Sequence, residues 1–117
     1  MKKILIVDDA IFMRNTLRNM LEKNGYEVVG EAENGEAAIQ KYEELQPDIT
    51  TMDITMPVTC GVEALRRIRE INQGAKVVMV TARGQENLLK KAALEGAYSF
   101  VIKPFEEKKI VNLLKNL

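Results

Sequence analysis

Residues 3–9 read Lys3-Ile4-Leu5-Ile6-Val7-Asp8-Asp9, an unbroken aliphatic run that ends on two carboxylates. A strand with one wet face alternates apolar and polar residues, so a short continuous apolar run belongs to a strand covered on both faces. Runs of the same kind recur at Glu27-Val28-Val29, Asp48-Ile49-Thr50-Thr51-Met52, Lys76-Val77-Val78-Met79-Val80 and Ser99-Phe100-Val101-Ile102. The stretches between them change period. Ile110, Leu113, Leu114 and Leu117 follow the i, i+3, i+4, i+7 rule behind an acidic first turn, Glu106 and Glu107. Met13, Leu17, Met20 and Leu21 repeat that spacing, which puts Arg14, Arg18 and Glu22 on the opposite, solvent-facing side.

Three further helices fill the remaining gaps: one over 35–45, one over 61–71 with Leu65, Ile68 and Ile71 inward, and one over about 85–95. Gly25, Gly74 and Gly96 stand where helices should stop, and Pro47 separates the second helix from the third strand. Strands alternating with helices of this length return parallel and right-handed. The pattern predicts an α/β fold, a doubly wound sheet of five parallel strands with five helices on its two faces, and the flavodoxin-like order 2-1-3-4-5 would make neighbours of the first, third, fourth and fifth strands. With no linker, repeat or low-complexity stretch, residues 1–117 are expected to form a single domain.

Composition narrows the function. Seventeen Lys plus Arg balance seventeen Asp plus Glu, which removes the broad positive field needed for direct nucleic-acid or membrane binding. There is no histidine, so every Ser-His-Asp or Cys-His arrangement and every imidazole zinc site is excluded. Cys60 is the only cysteine, which rules out an internal disulfide or a CxxC redox pair. No apolar run approaches the length of a membrane span or a signal peptide, and a cytoplasmic location is expected. Neither GxGxxG nor GxxxxGK[ST] occurs, so a nucleotide-binding domain is disfavoured.

Sheets of this kind bind ligands beyond the carboxyl ends of their strands. At those ends stand Asp8 and Asp9, Asp53, Thr81 and Lys103. Three carboxylates gathered on one rim repel, and a hard divalent ion such as Mg2+, which takes oxygen ligands, resolves the conflict. A phosphoryl group beside such an ion could be held by the Lys103 ammonium and the Thr81 hydroxyl, with Asp53 as the nucleophile that forms an acyl phosphate.

At these residues the chain resembles the receiver domain of two-component response regulators, and within that family the stand-alone chemotaxis branch. The resemblance rests on Ile6-Val7-Asp8-Asp9, on Met52-Asp53-Ile54-Thr55-Met56-Pro57 with Gly61 beyond it, on Val80-Thr81-Ala82 and on Lys103-Pro104-Phe105. The run Asp9-Ala10-Ile11-Phe12-Met13-Arg14 is similar to the chemotaxis branch in particular.

The resemblance implies that Asp53 accepts phosphate from a phosphohistidine on a histidine kinase. It implies Mg2+ bound by Asp8, Asp9, Asp53 and the backbone carbonyl of Thr55. Thr81 and Phe100 would form the switch pair, and Lys103 would hold the phosphoryl group ahead of a cis bond to Pro104. The output face would be the fourth helix, fifth strand and fifth helix, meeting a flagellar motor switch or another output protein, with a phosphatase as a further possible partner. Such a protein is a signalling switch that catalyses only its own phosphorylation and dephosphorylation.

Two departures stand out: Val58-Thr59-Cys60 replaces the usual acidic loop before Gly61, and Phe100 lacks the hydroxyl of the tyrosine common in chemotaxis members. By the same resemblance Thr55 and Arg83 would flank the route by which water attacks. The rival readings are a receiver belonging to a transcription factor or a phosphorelay intermediate and, less favoured, a Mg2+-dependent phosphohydrolase with an aspartyl nucleophile, which lacks its Asp-x-Asp pair.

Overall fold

A computed structural model describes residues 1–56 and 59–117; Pro57 and Val58, and with them one residue of the second motif and one of the divergent loop, lie outside the described residues. The elements run β1 (Lys3–Val7), α1 (Ile11–Lys23), β2 (Glu27–Ala32), α2 (Gly35–Leu45), β3 (Ile49–Asp53), α3 (Gly61–Ile71), β4 (Val77–Thr81), α4 (Glu86–Leu94), β5 (Ser99–Ile102) and α5 (Glu107–Leu114). The strands form one parallel sheet, as the alternating pattern predicts, and their order is the expected β2-β1-β3-β4-β5.

Because the central strands are covered twice, their side chains divide by parity between two cores. Leu5, Val7, Met52, Val77 and Met79 face α2, α3 and α4, where Ala38, Ile39, Leu65, Ile68 and Ala92 meet them. Ile4, Ile6, Ile49, Val78, Val80 and Val101 face α1 and α5, against Leu17, Leu21, Ile110 and Leu114. Both faces are thus apolar along the same strand, which is what the continuous aliphatic runs require.

Three details depart from the expected pattern. β2 continues three residues past Val29 to Ala32, because β1 pairs with it across an irregularity: Ile4 lies opposite Val28, while Leu5 lies opposite Gly30. The extra residue is a bulge, and neither Gly30 nor Glu31 carries a strand signal of its own. Ile71 is not inward but 45% exposed, since six residues beyond Leu65 a helix with about 3.6 residues per turn falls about a third of a turn short of the starting direction. Arg14 does not simply face solvent; its guanidinium pairs with Glu31 on β2 at 3.0 Å, and Arg18 joins the same carboxylate at 2.7 Å.

Two hydroxyls sit awkwardly in the central strand. Thr50 and Thr51 are fully buried, and their Oγ1 atoms have no hydrogen-bond partner among the described residues. A buried hydroxyl without a partner costs about 1–3 kcal/mol, and valine has the same shape without that cost. Thr51→Val is therefore expected to raise unfolding stability by about 1 kcal/mol, read as a higher urea midpoint at unchanged slope.

Candidate functional site

Strand register builds the site before any side chain is considered. Val7 is paired with Met52, so Asp8 and Asp53 follow one step later on neighbouring strands. Asp53 is paired with Val80, and Thr81 with Ile102, so Thr81 and Lys103 come next along the same rim. Backbone bonds carry this alignment past the strand ends: the Asp8 N–H donates to the Ala32 carbonyl (3.0 Å), Ile54 N–H to Val80 (3.0 Å) and Lys103 N–H to Thr81 (2.7 Å).

The carboxylates converge on this frame. Asp8, Asp9 and Asp53 each offer an oxygen, and these atoms lie within 4.8 Å of one another. Asp8 and Asp53 are 1% and 8% exposed, whereas Asp9 faces solvent. The Lys103 ammonium reaches in from beyond β5, 3.1 Å from Asp8 Oδ2 and 3.6 Å from Asp53 Oδ2. Its single positive charge cannot balance three carboxylates. Burial pushes the Asp53 carboxyl above its ordinary pKa, and Asp8 and Asp9 add to the rise; Lys103 and the Thr55 N–H, which donates to Asp53 Oδ1 at 3.3 Å, oppose it.

Local packing holds these acids in place. Asp8 Oδ1 accepts the Ala10 N–H (2.9 Å), closing the turn into α1, and its carbonyl accepts from Arg14 Nη1 (2.6 Å). α3 begins directly against the third strand, with the Gly61 N–H donating to the Ile54 carbonyl (3.0 Å). A Cβ at Gly61 would overlap the carbonyl of Asp53, so only glycine lets the helix start this close to the acid. Of the divergent loop, Cys60 is exposed and precedes α3, while the Thr59 hydroxyl donates to Glu36 Oε1 (3.0 Å), a carboxylate also held by Arg67 at 2.7 Å.

The remaining expected residues take different positions. The buried Thr81 hydroxyl lies 2.9 Å from Gln85 Oε1, with the Ala82 carbonyl a second acceptor at 3.2 Å. Thr55 Oγ1 accepts from Gln85 Nε2. Phe100 stands on edge strand β5, 46% exposed and outside the acid cluster. Lys103-Pro104 is cis.

Arg14 and Gln85 are the two site residues that the spacing arguments overlook. Arg14 reads as one charge on an amphipathic helix. Gln85 leaves a faint signal: it occupies the N-cap of α4, where Ser, Thr, Asp or Asn would be favoured, and its side chain makes no capping bond.

The donor set suits a hard divalent cation: carboxylate oxygens only, clustered with surplus negative charge, and partly open to water through Asp9. It suits a phosphoryl group equally, with the Lys103 ammonium and the Thr81 hydroxyl on the same rim as the Asp53 carboxylate. The chain matches the response regulator receiver domain over residues 4–115 and belongs to that family of phospho-accepting signalling domains. Among its relatives are the chemotaxis protein CheY of Thermotoga maritima, 47% identical over 99% of this chain and 97% of that protein, and CheY of Bacillus subtilis, 46% identical over 96% and 93%. Its fold also superimposes on a CheX-CheY-BeF3-Mg2+ complex from Borrelia burgdorferi, with a TM-score of 0.93 and 34% identity over 98% of this chain and 87% of that one.

Because its pKa is raised on folding, Asp53 favours the folded chain at acid pH, and that contribution disappears as pH climbs through the raised value. Above that value the ionised carboxylate opposes folding. Asp53→Asn is therefore expected to raise the melting temperature at pH 7 in chelator, with the gain shrinking towards pH 4, as followed by circular dichroism.

Proposed function

We propose that Asp53 is the phosphoacceptor of a chemotaxis response regulator, comprising a single receiver domain over residues 1–117, that takes its phosphoryl group from a histidine kinase. The observation that carries this reading is the meeting of Asp8, Asp9 and Asp53 within 4.8 Å, with Lys103 at 3.1 and 3.6 Å from two of them. The identity to chemotaxis proteins across nearly the whole chain supports the branch.

Asp8, Asp9, Asp53 and the Thr55 carbonyl would hold Mg2+, which when bound supplies charge neutralisation for the carboxylates and for an incoming phosphoryl group. The chain's own residues do the rest. Asp53, held by the Thr55 N–H, presents an oxygen that attacks phosphorus; the P–N bond of the phosphohistidine breaks, and its electron pair leaves with the imidazole. With acetyl phosphate the P–O bond breaks instead, and acetate departs with the pair. In the reverse discharge water attacks phosphorus, the electron pair returns to the Asp53 carboxylate, and both water hydrogens leave as part of inorganic phosphate. Lys103, released from Asp8, would pair with the phosphoryl oxygens, and the Thr81 hydroxyl would turn towards them, with Phe100 following behind β4.

The output face would be α4, β5 and α5, where Leu94, Tyr98, Phe100 and Ile102 stand exposed. A flagellar motor switch protein fits as the target. No described helix is long and apolar enough to cross a membrane, and the protein is read as a cytoplasmic switch rather than a turnover enzyme.

Incubation with acetyl phosphate and Mg2+ is expected to add one phosphoryl group by mass spectrometry; Asp53→Asn should abolish the gain, and an unaltered mass in the parent protein refutes the reading. Lys103→Ala is expected to fold and still gain phosphate, while the NMR shifts of Phe100 and Ile102 that accompany phosphorylation of the parent protein are lost.

A further inference from the structure

The loop after β4 brings a neutral side chain back over the candidate site. Gly84 sits in the left-handed region at φ +90°, a turn that β-carbon-bearing residues resist, and it returns the chain so that Gln85 overlies the end of the strand. Gln85 Oε1 there lies 2.9 Å from the Thr81 hydroxyl and 2.7 Å from the Ala82 N–H. The other end of the same carboxamide donates to the Thr55 hydroxyl, two residues beyond Asp53. One amide thus bridges the loops that follow β3 and β4, the strands that carry Asp53 and Thr81.

A backbone N–H and a hydroxyl converging on one oxygen form a small anion-oxygen cradle, and this cradle stands on the strand next to Asp53. Building on Asp53 as phosphoacceptor, we propose that the Gln85 carboxamide oxygen is an internal stand-in for a phosphoryl oxygen. It satisfies the Thr81 and Ala82 donors while Asp53 is free and is displaced when Asp53 is phosphorylated, which makes Gln85 a positioning residue for loading. The exchange runs in the required direction because a charged phosphoryl oxygen is a much stronger acceptor than a neutral amide oxygen. The amide nevertheless competes, so phosphorylation must first break its bonds.

The device is one of occupancy rather than packing. Gln85 is half-buried, lies ahead of α4 and belongs to neither apolar core, so its replacement leaves the fold intact. Gln85→Met keeps the length of the side chain without the donor or the acceptor, and Gln85→Ala removes it.

The experiment is a titration with acetyl phosphate in excess Mg2+, with phosphorylated fraction read by mass spectrometry, and with 15N-labelled parent protein observed in parallel by NMR. Both variants are expected to reach half-phosphorylation at roughly three- to tenfold lower donor concentration, the worth of one or two net hydrogen bonds. In the parent protein the Gln85 side-chain NH2 and the Ala82 amide resonances should move together as phosphate is gained. Parent protein that loads normally while Gln85→Met and Gln85→Ala load identically to it overturns this proposal alone, as do Gln85 side-chain resonances that stay still during loading. Parent protein that gains no phosphoryl group overturns the reading of Asp53, and this proposal with it.

Discussion

Uncompensated negative charge at one edge of a parallel sheet is the condition on which the rest of the molecule turns. Two of the three carboxylates are nearly buried, where like charges are least screened, and a single ammonium faces them. Nothing in the cores demands this. Both apolar layers would pack as well over asparagine, so the crowding is a standing cost carried by a scaffold rigid enough to bear it. Parallel register supplies the rigidity: Asp8, Asp53, Thr81 and Lys103 arrive at neighbouring strand ends because each strand is paired with the next.

Once placed, the acids are held by contacts from several directions. α1 returns Arg14 to the Asp8 carbonyl, and Glu31 on β2 ties that guanidinium in turn. α3 packs its first residue against the Asp53 backbone. The base of the site is thus tied by main-chain hydrogen bonds, and the side chains of Lys103, Thr81 and Gln85 stand above it. That division is what a switch asks of its parts: a frame that does not move and a few polar groups with two alternative sets of partners.

The parts of this structure written in local periodicity could be read from the chain alone. Continuous aliphatic runs identified strands covered twice, helical stripes identified the layers, and the position of acids, threonine and lysine just after strands located the rim. What escaped depends on geometry between elements. β2 runs through Gly30 and Glu31 because β1 pairs with them, a tertiary effect stronger than local propensity. Ile71 looked inward because every third residue drifts slowly around a helix. Arg14 and Gln85 acquire their partners from a strand or loop that folds back on them, and residue spacing along one element holds no record of that.

All of the candidate chemistry stands at the end where strands finish, while the end where they begin is built separately. There a broad groove between Tyr42, Gln46, Asp48, Asn72 and Lys76 shares no residue with the acid cluster. The two ends are separated by the length of the strands and of the helices that return the chain between them. Descendants of this chain could accordingly rewrite their lower turns, lengthening them or exchanging their charges, and acquire new neighbours in the cell without disturbing the acid cluster above.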